Sequence, residues 1–316
     1  MTMLVDFQRQ TGVETFDHPL LREQDLHITQ TVTQILVALR EFKTAMLITY
    51  QGVMGSGKTS VTKILNNELL GQSKSTLIVR LRDNREKEGR IYDRNSLELS
   101  KGSRVVTFEF GQGKQVVEEA LLDNPQIGEG SVVFISEAQF MGNIREIEDI
   151  IEMLMQRGIS VICDCLSHYY NGKRIPESAY ISAKASMYLK LWPCDTFDEN
   201  EKGDIPMRIV KIDSDGNMPD TLDRETAHYY SEMTPAQRRE VFLAIANSSY
   251  SRKLVKEENG KTVCWVPSHP TKDASFVPGG NERYIPTSLA TCIDILESAG
   301  LNDMARQYRE TSQLEP

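Results

Sequence analysis

Residues 52–59 read Gly-Val-Met-Gly-Ser-Gly-Lys-Thr, and the segments on either side decide the fold. Ahead lies AMLITY (Ala45 to Tyr50), which is short, apolar and β-capable, and behind lies a helix-like stretch from Lys58 to about Leu70. Strand, Gly-rich loop and helix are the context that the pattern G-x-x-x-x-G-K-[ST] requires. Gly52, Gly55 and Gly57 let the backbone curl until its N–H groups and the helix N-terminus can meet phosphate oxygens. Lys58 is then expected to neutralise the β and γ phosphates of ATP, and the Thr59 hydroxyl to hold Mg²⁺. The expected cradle comprises Gly52, Gly55, Ser56, Gly57, Lys58, Thr59 and Ser60, with Lys58 facing solvent until phosphate meets it.

Working outward, further apolar runs follow at TLIVR (Thr76 to Arg80), RVVTFEF (Arg104 to Phe110), SVVFIS (Ser131 to Ser136) and SVICDC (Ser160 to Cys165). Helical patterns such as IREIEDIIEMLMQRG separate them. Strands alternating with helices imply an α/β fold, a P-loop-type parallel sheet flanked by helices, with ligands at the carboxyl ends of the strands. Upstream, ITQTVTQILVALREFK (Ile28 to Lys43) sets Ile28, Val32, Ile35, Leu36, Leu39 and Phe42 on one helical face, a stripe expected to pack in the core. The alternation stops near Cys194. Beyond it IPMRIVKIDSDGNMP reads as an Asp-Gly hairpin, and Thr234-Pro235 opens a helix to about Asn247. Asp215-Gly216 resembles a piece of a calcium loop, but the ligand series is incomplete and a plain turn is expected. The chain thus divides into an N-terminal helical extension (1–44), an α/β domain (45–194) and a C-terminal region (195–316).

The 316 residues, 40% hydrophobic and 26% charged, suit a soluble globular protein, and no apolar run of about 18 residues offers a membrane span. Thirty-six Lys and Arg against 45 Asp and Glu leave a net charge of −9, which argues against a general grip on nucleic acid. The five cysteines are odd in number and scattered, and MTMLVDFQRQ at the start lacks an apolar stretch, so a reducing, cytoplasmic setting is expected.

The second chemical element is VVFISEAQF (Val132 to Phe140), an apolar strand ending in Ser136, Glu137 and Gln139 at the edge where the Gly-rich loop lies. In P-loop enzymes this is the place of a metal-orienting Asp and a catalytic carboxylate. Ser136 occupies the Asp position and offers Mg²⁺ only a weak ligand, whereas Glu137 can act as base toward a hydroxyl or water within hydrogen-bond reach.

Taken together, these segments resemble the zinc-ribbon (type II) thymidine kinases. GVMGSGKT is similar to the family's GPMFSGKT-type loop, SEAQF to its DEAQF, and Asp83 to Arg85 to its D-x-R element. CLSHYYNGKRIP (Cys165 to Pro176) resembles its GLDxxF loop, NSSYSRKL (Asn247 to Leu254) its A-x-Y-T-x-R hairpin, and VPGGNERY (Val277 to Tyr284) its V-I-G-G-x-x-x-Y lasso. The run SMYLKLWPC resembles the strand leading into the ribbon.

The resemblance implies Glu137 as base for a nucleoside 5′-hydroxyl, with Lys58 and Arg85 as charge partners in the transition state. It implies Met54, Asp83, Phe140, Leu166, Tyr170 and Val277 as substrate-binding residues, with the lasso backbone at Gly279 and Gly280 and Tyr284 closing over a pyrimidine ring. It also suggests a homo-oligomer, dimer or tetramer.

The departures are specific. Ser136 and Ser167 stand where the family has Asp, and Asp164, at the end of the neighbouring strand, is the first candidate to compensate. The family's two C-x-x-C pairs fall on Cys194 and Phe197, and on Ser288 and Thr291, so no structural zinc is expected. About fifty residues, Asp198 to Asn247, stand as an insertion in a degenerate ribbon and lasso region. The expected activity is phosphoryl transfer from ATP to the 5′-hydroxyl of thymidine or a related pyrimidine deoxynucleoside, modified ones included. A nucleotide-binding descendant without turnover and a P-loop ATPase of assembly or transport stay open beside it.

Overall fold

In a computed structural model of the chain, the structure describes residues 19–82, 102–169, 173–193, 195, 202–219, 228–268 and 284–313. The chain forms two compact units, one of Met1–Gly52, Ser56–Ser167 and Ile175–Trp192, the other of Val53–Gly55, His168–Arg174 and Pro193–Pro316.

The first unit is built on a parallel sheet of β1 (Leu47–Gly52), β2 (Thr76–Leu81), β3 (Val105–Phe108), β4 (Val132–Ser136), β5 (Ser160–Leu166) and β6 (Met187–Lys190), in the order β3-β2-β4-β5-β1-β6. The apolar runs make these strands because both faces are covered: every residue of β1 is buried. The covering helices are α1 (Pro19–Glu41), α2 (Lys58–Gly71), α3 (Gly113–Asp123), α4 (Ile144–Gln156) and α5 (Pro176–Lys184). Asn143 and Glu146 form a reciprocal capping box that starts α4. In α1 the expected stripe is buried at Ile28, Val32, Ile35 and Leu36, but the helix stops at Glu41 and Phe42 is 57% exposed. His27 anchors α1 at the end of β6, its Nε2 2.7 Å from the Lys190 carbonyl and its ring stacked on Trp192.

The second unit holds an antiparallel sheet ordered β10-β7-β9-β8, from β7 (Ile205–Asp213), β8 (Val255–Glu258), β9 (Lys261–Pro267) and β10 (Tyr284–Thr287). Its helices are α6 (His228–Glu232), α7 (Pro235–Ala246), α8 (Ser251–Leu254), α9 (Leu289–Ser298) and α10 (Asn302–Gln313). Met207, Ile209, Val210, Tyr230, Ile245, Cys264, Ile295 and Tyr308 form part of a core of its own. The stretch read as an insertion therefore supplies β7, an interior strand of this sheet, and α7.

Among the described residues, two expected hairpins do not form. After β7 the chain makes a tight turn in which Asp213 Oδ1 accepts from the N–H groups of Asp215 and Asn217, and β7 pairs with β9 and β10 instead. Asp213 Oδ2 accepts from the Asn217 side chain at 3.3 Å and from Lys261 Nζ of β9 at 3.5 Å, and Asp215-Gly216 lies in this turn. NSSYSRKL carries the end of α7 and the short α8 rather than a hairpin. The helix expected from Thr234-Pro235 is α7, opened by a Thr234–Gln237 capping box.

Cys194 and Phe197 lie outside the described residues. Ser288 and Thr291, the other expected ligand pair, serve a helix: Ser288 caps α9 by accepting from the Thr291 N–H at 3.1 Å. Beside them the buried Asp195 carboxylate accepts from the Thr287 hydroxyl at 3.1 Å and from the Ser288 N–H. Among the described residues no helix is long and apolar enough to cross a membrane.

Candidate active site

β1 lies between β5 and β6 and ends at Gly52, so its loop opens at the carboxyl edge of the sheet. Gly55 and Gly57 take φ of 80° and 88°, a region open to glycine at little cost. A Cβ at Gly57 would also lie 2.5 Å from Ile28 Cδ1 of α1, and one at Gly52 would run into Ser56 Oγ. Gly57 is the N-cap of α2 and offers no side-chain cap, leaving the first N–H groups of the helix to meet an anion. Ser56 Oγ is buried without a hydrogen-bond partner. Lys58 does not face solvent: it is 7% exposed, and its Nζ donates to the Gly52 carbonyl at 3.0 Å, because folding onto the loop satisfies the ammonium within the site.

At the end of β4, Ser136 is half-buried and carries no carboxylate, and Glu137 follows with φ 59° and ψ 43°. A non-glycine residue there stores about 1–3 kcal/mol and persists only where neighbours enforce it. The enforcing contact is Asp164 Oδ1, which accepts the Glu137 N–H at 3.0 Å. Gln139 completes the corner, donating to Glu137 Oε2 at 3.0 Å while its own Oε1 accepts from the Leu166 N–H at 3.3 Å. Burial raises the pKa of the Glu137 carboxyl and the charge of Asp164 adds to it, while Lys58, Gln139 and Arg80 pull the other way.

Asp164 sits on β5 between these two corners, 4% exposed. Its Oδ2 accepts from the Thr62 hydroxyl of α2 at 3.3 Å, and Thr62 in turn lies 2.5 Å from the Tyr50 hydroxyl of β1. The neighbouring thiols Cys163 and Cys165 are buried, and burial pushes both their pKa values up, which leaves them as apolar filling.

Of the residues expected from the sequence, the structure brings Lys58, Glu137, Phe140 and Leu166 into the carboxyl edge of the first unit. Phe140 is buried in the single turn Ala138–Phe140, its ring 5.3 Å from that of the exposed Phe110. Gly111 and Gly113 clamp this turn by donating to the Phe140 and Met141 carbonyls. Met54 and Tyr284 belong to the second unit, where Tyr284 is buried and opens β10 opposite Arg208. Asp83, Arg85, Tyr170, Val277, Gly279 and Gly280 lie outside the described residues. Sequence reasoning missed Arg80, which pairs in register with Ser136 and whose charge reaches Glu137. The Arg ending TLIVR is visible in the sequence, but the pairing of β2 with β4 is not.

A Gly-rich loop from a central parallel strand into an uncapped helix, with a strained carboxylate at the strand end beyond β5, is the arrangement of a P-loop-type kinase fold. The model of the thymidine kinase family matches residues 45–194, and over that span the chain is similar to that family. No curated protein matches the chain. The family domain supports nucleoside phosphorylation with ATP as the general chemistry.

The residues present fit a nucleotide phosphate with Mg²⁺. The unpartnered Ser56 Oγ and the uncapped N–H groups at the start of α2 suit an anion, and Thr59, Asp164 and Glu137 supply only hard oxygen donors. Among the described residues no three His, Cys, Asp or Glu side chains converge on a metal position.

Proposed function

We propose that the protein transfers the γ-phosphate of ATP to the 5′-hydroxyl of thymidine or a related pyrimidine deoxynucleoside. The observation that carries this reading is Glu137, a half-buried carboxylate held in a left-handed backbone conformation within the fields of Lys58 and Arg80. Burial raises its proton affinity, which suits a group that takes a hydroxyl proton and releases it. The loop from Gly52 to Ser60 would bind the triphosphate, with Thr59 on Mg²⁺. That ion, when bound, draws charge from the phosphate oxygens.

Lys58 would leave the Gly52 carbonyl for the phosphates, so ATP competes with a loop contact already made. Phe140 and Leu166 would flank the base, with Met54, Tyr170, Val277, Gly279, Gly280 and Tyr284 as further substrate residues, and Asp83 and Arg85 beside the acceptor. An apolar slot with few polar groups suits a flat, uncharged ring.

A transfer screen with γ-labelled ATP and Mg²⁺ over nucleosides and nucleotides tests this. Labelled 5′-monophosphate from a pyrimidine deoxynucleoside supports the reading. ATP binding without transfer to any acceptor would sink it in favour of a binding protein, and label released only as free phosphate in favour of an ATPase.

A further inference from the structure

The carboxylate expected at Ser136 has a counterpart elsewhere in the same row of the sheet. β5 lies between β4 and β1, Tyr50 pairs with Asp164, and Ile135 pairs with Cys163. Ser136 and Asp164 stand one step further along that register, and in-register neighbours on adjacent strands point to the same face. Replacing Ser136 by a carboxylate on Asp164 moves the charge sideways by one strand spacing, about 4.8 Å, toward the P-loop strand.

Three observations give the displaced carboxylate a task. First, its two oxygens join the two corners of the site, one holding the Glu137 N–H and the other the Thr62 hydroxyl. Thr62 follows Thr59 by three residues on α2, so the two share a helix face. Secondly, a carboxylate offers about four acceptor positions, and these bonds fill two. Thirdly, Asp164 is buried, yet among the described residues it makes no ion pair. A buried carboxylate without a counter-ion is costly, and a cation arriving at Thr59 would relieve that cost.

We propose that Asp164 is a positioning residue that acts on the Mg²⁺ of a bound nucleotide in place of the carboxylate missing at Ser136. The inference rests on the P-loop reading of the nucleotide site and not on the identity of the acceptor. It also accounts for the strained Glu137, because the same carboxylate fixes that backbone from its other oxygen.

Calorimetric titration of the full chain with ATP alone, and with ATP plus Mg²⁺, without nucleoside, tests it. Asp164→Asn keeps the shape and one acceptor, so its metal-free ATP affinity should stay within about twofold while the tightening by Mg²⁺ falls by roughly 10-fold or more. Ser136→Asp in that background should restore the tightening. Mg²⁺ tightening equal to wild type in Asp164→Asn would overturn the proposal. So would an equal loss of ATP affinity with and without the ion, which is the mark of a merely structural role. Should Asp164→Asn not fold, the exchange Ser136→Asp with Asp164→Ser reads the same ratio: retained tightening supports the proposal, and lost tightening overturns it. Wild type that binds ATP more tightly with Mg²⁺ but phosphorylates nothing would defeat the kinase reading and leave this one standing. Wild type without Mg²⁺ tightening would sink this one whatever it phosphorylates.

Discussion

Two serines, one in each unit, stand where the family resemblance asks for a ligand, and their surroundings differ. Ser136 ends β4 in the parallel sheet, and the charge it lacks sits one strand away on Asp164, still buried within the site. Ser288 begins α9 in the second unit and has become a helix cap, with Thr291 as its partner and Asp195 clasping the strand end beside it. The first change keeps a carboxylate near where phosphate chemistry would need it. The second neighbourhood is held by hydrogen bonds at a helix start and a strand end. The difference teaches that a changed motif residue says little until its new neighbours are known: one neighbourhood keeps a buried carboxylate, the other holds a helix start and a strand end.

That contrast can be broken at either end. The largest effect is expected at Glu137: Glu137→Gln keeps shape and hydrogen-bonding size but takes no proton, so turnover should fall by roughly 10²- to 10⁴-fold with ATP affinity nearly unchanged. Steady-state rates and a binding isotherm measure both, and unchanged turnover would remove Glu137 from the chemistry.

In the second unit Asp195→Ala should cost about 2–4 kcal/mol, because it strands the Ser288 N–H and the buried Thr287 hydroxyl. The chain has two tryptophans, Trp192 in the first unit and Trp265 in the second, so denaturant unfolding in a Trp192→Phe background follows the second unit alone. No loss of stability there would mean that the clasp is ornamental. Ser288→Ala should cost less, about 1 kcal/mol, the ordinary loss of an N-cap. The smallest expected effect is none: a chelator should leave the melting temperature unchanged and metal analysis should find no stoichiometric zinc. One zinc per chain would restore the ribbon and end the comparison.

The parallel sheet was legible because its strands are buried on both faces and so read as unbroken apolar runs: TLIVR, SVVFIS and SVICDC each became a strand within a residue or two of the reading. β7 was not legible. It carries Pro206, which pairs with Pro286 of β10, and the buried Arg208, residues that look like loop when partners are unknown. The glycines of residues 52–59 announced the loop, since only glycine takes the φ values found at Gly55 and Gly57 readily. Glu137 was named from its place after a strand, but its left-handed backbone depends on a hydrogen bond from a strand 27 residues away. Asp164 could be suspected from the end of SVICDC, whereas Arg80 needed the order β2-β4-β5, which no local pattern encodes.

The contact of Ile28 with Gly57 bears on where this enzyme-like domain starts. The family match begins at residue 45, yet the side chain packed against Gly57 comes from α1, well before it. His27, its neighbour, pins the same helix to the end of β6. A chain trimmed to the matched span would keep every residue of the glycine motif and lose the side chain packed against Gly57, so the shortest piece that holds this loop in place is longer than the shortest piece that resembles a kinase.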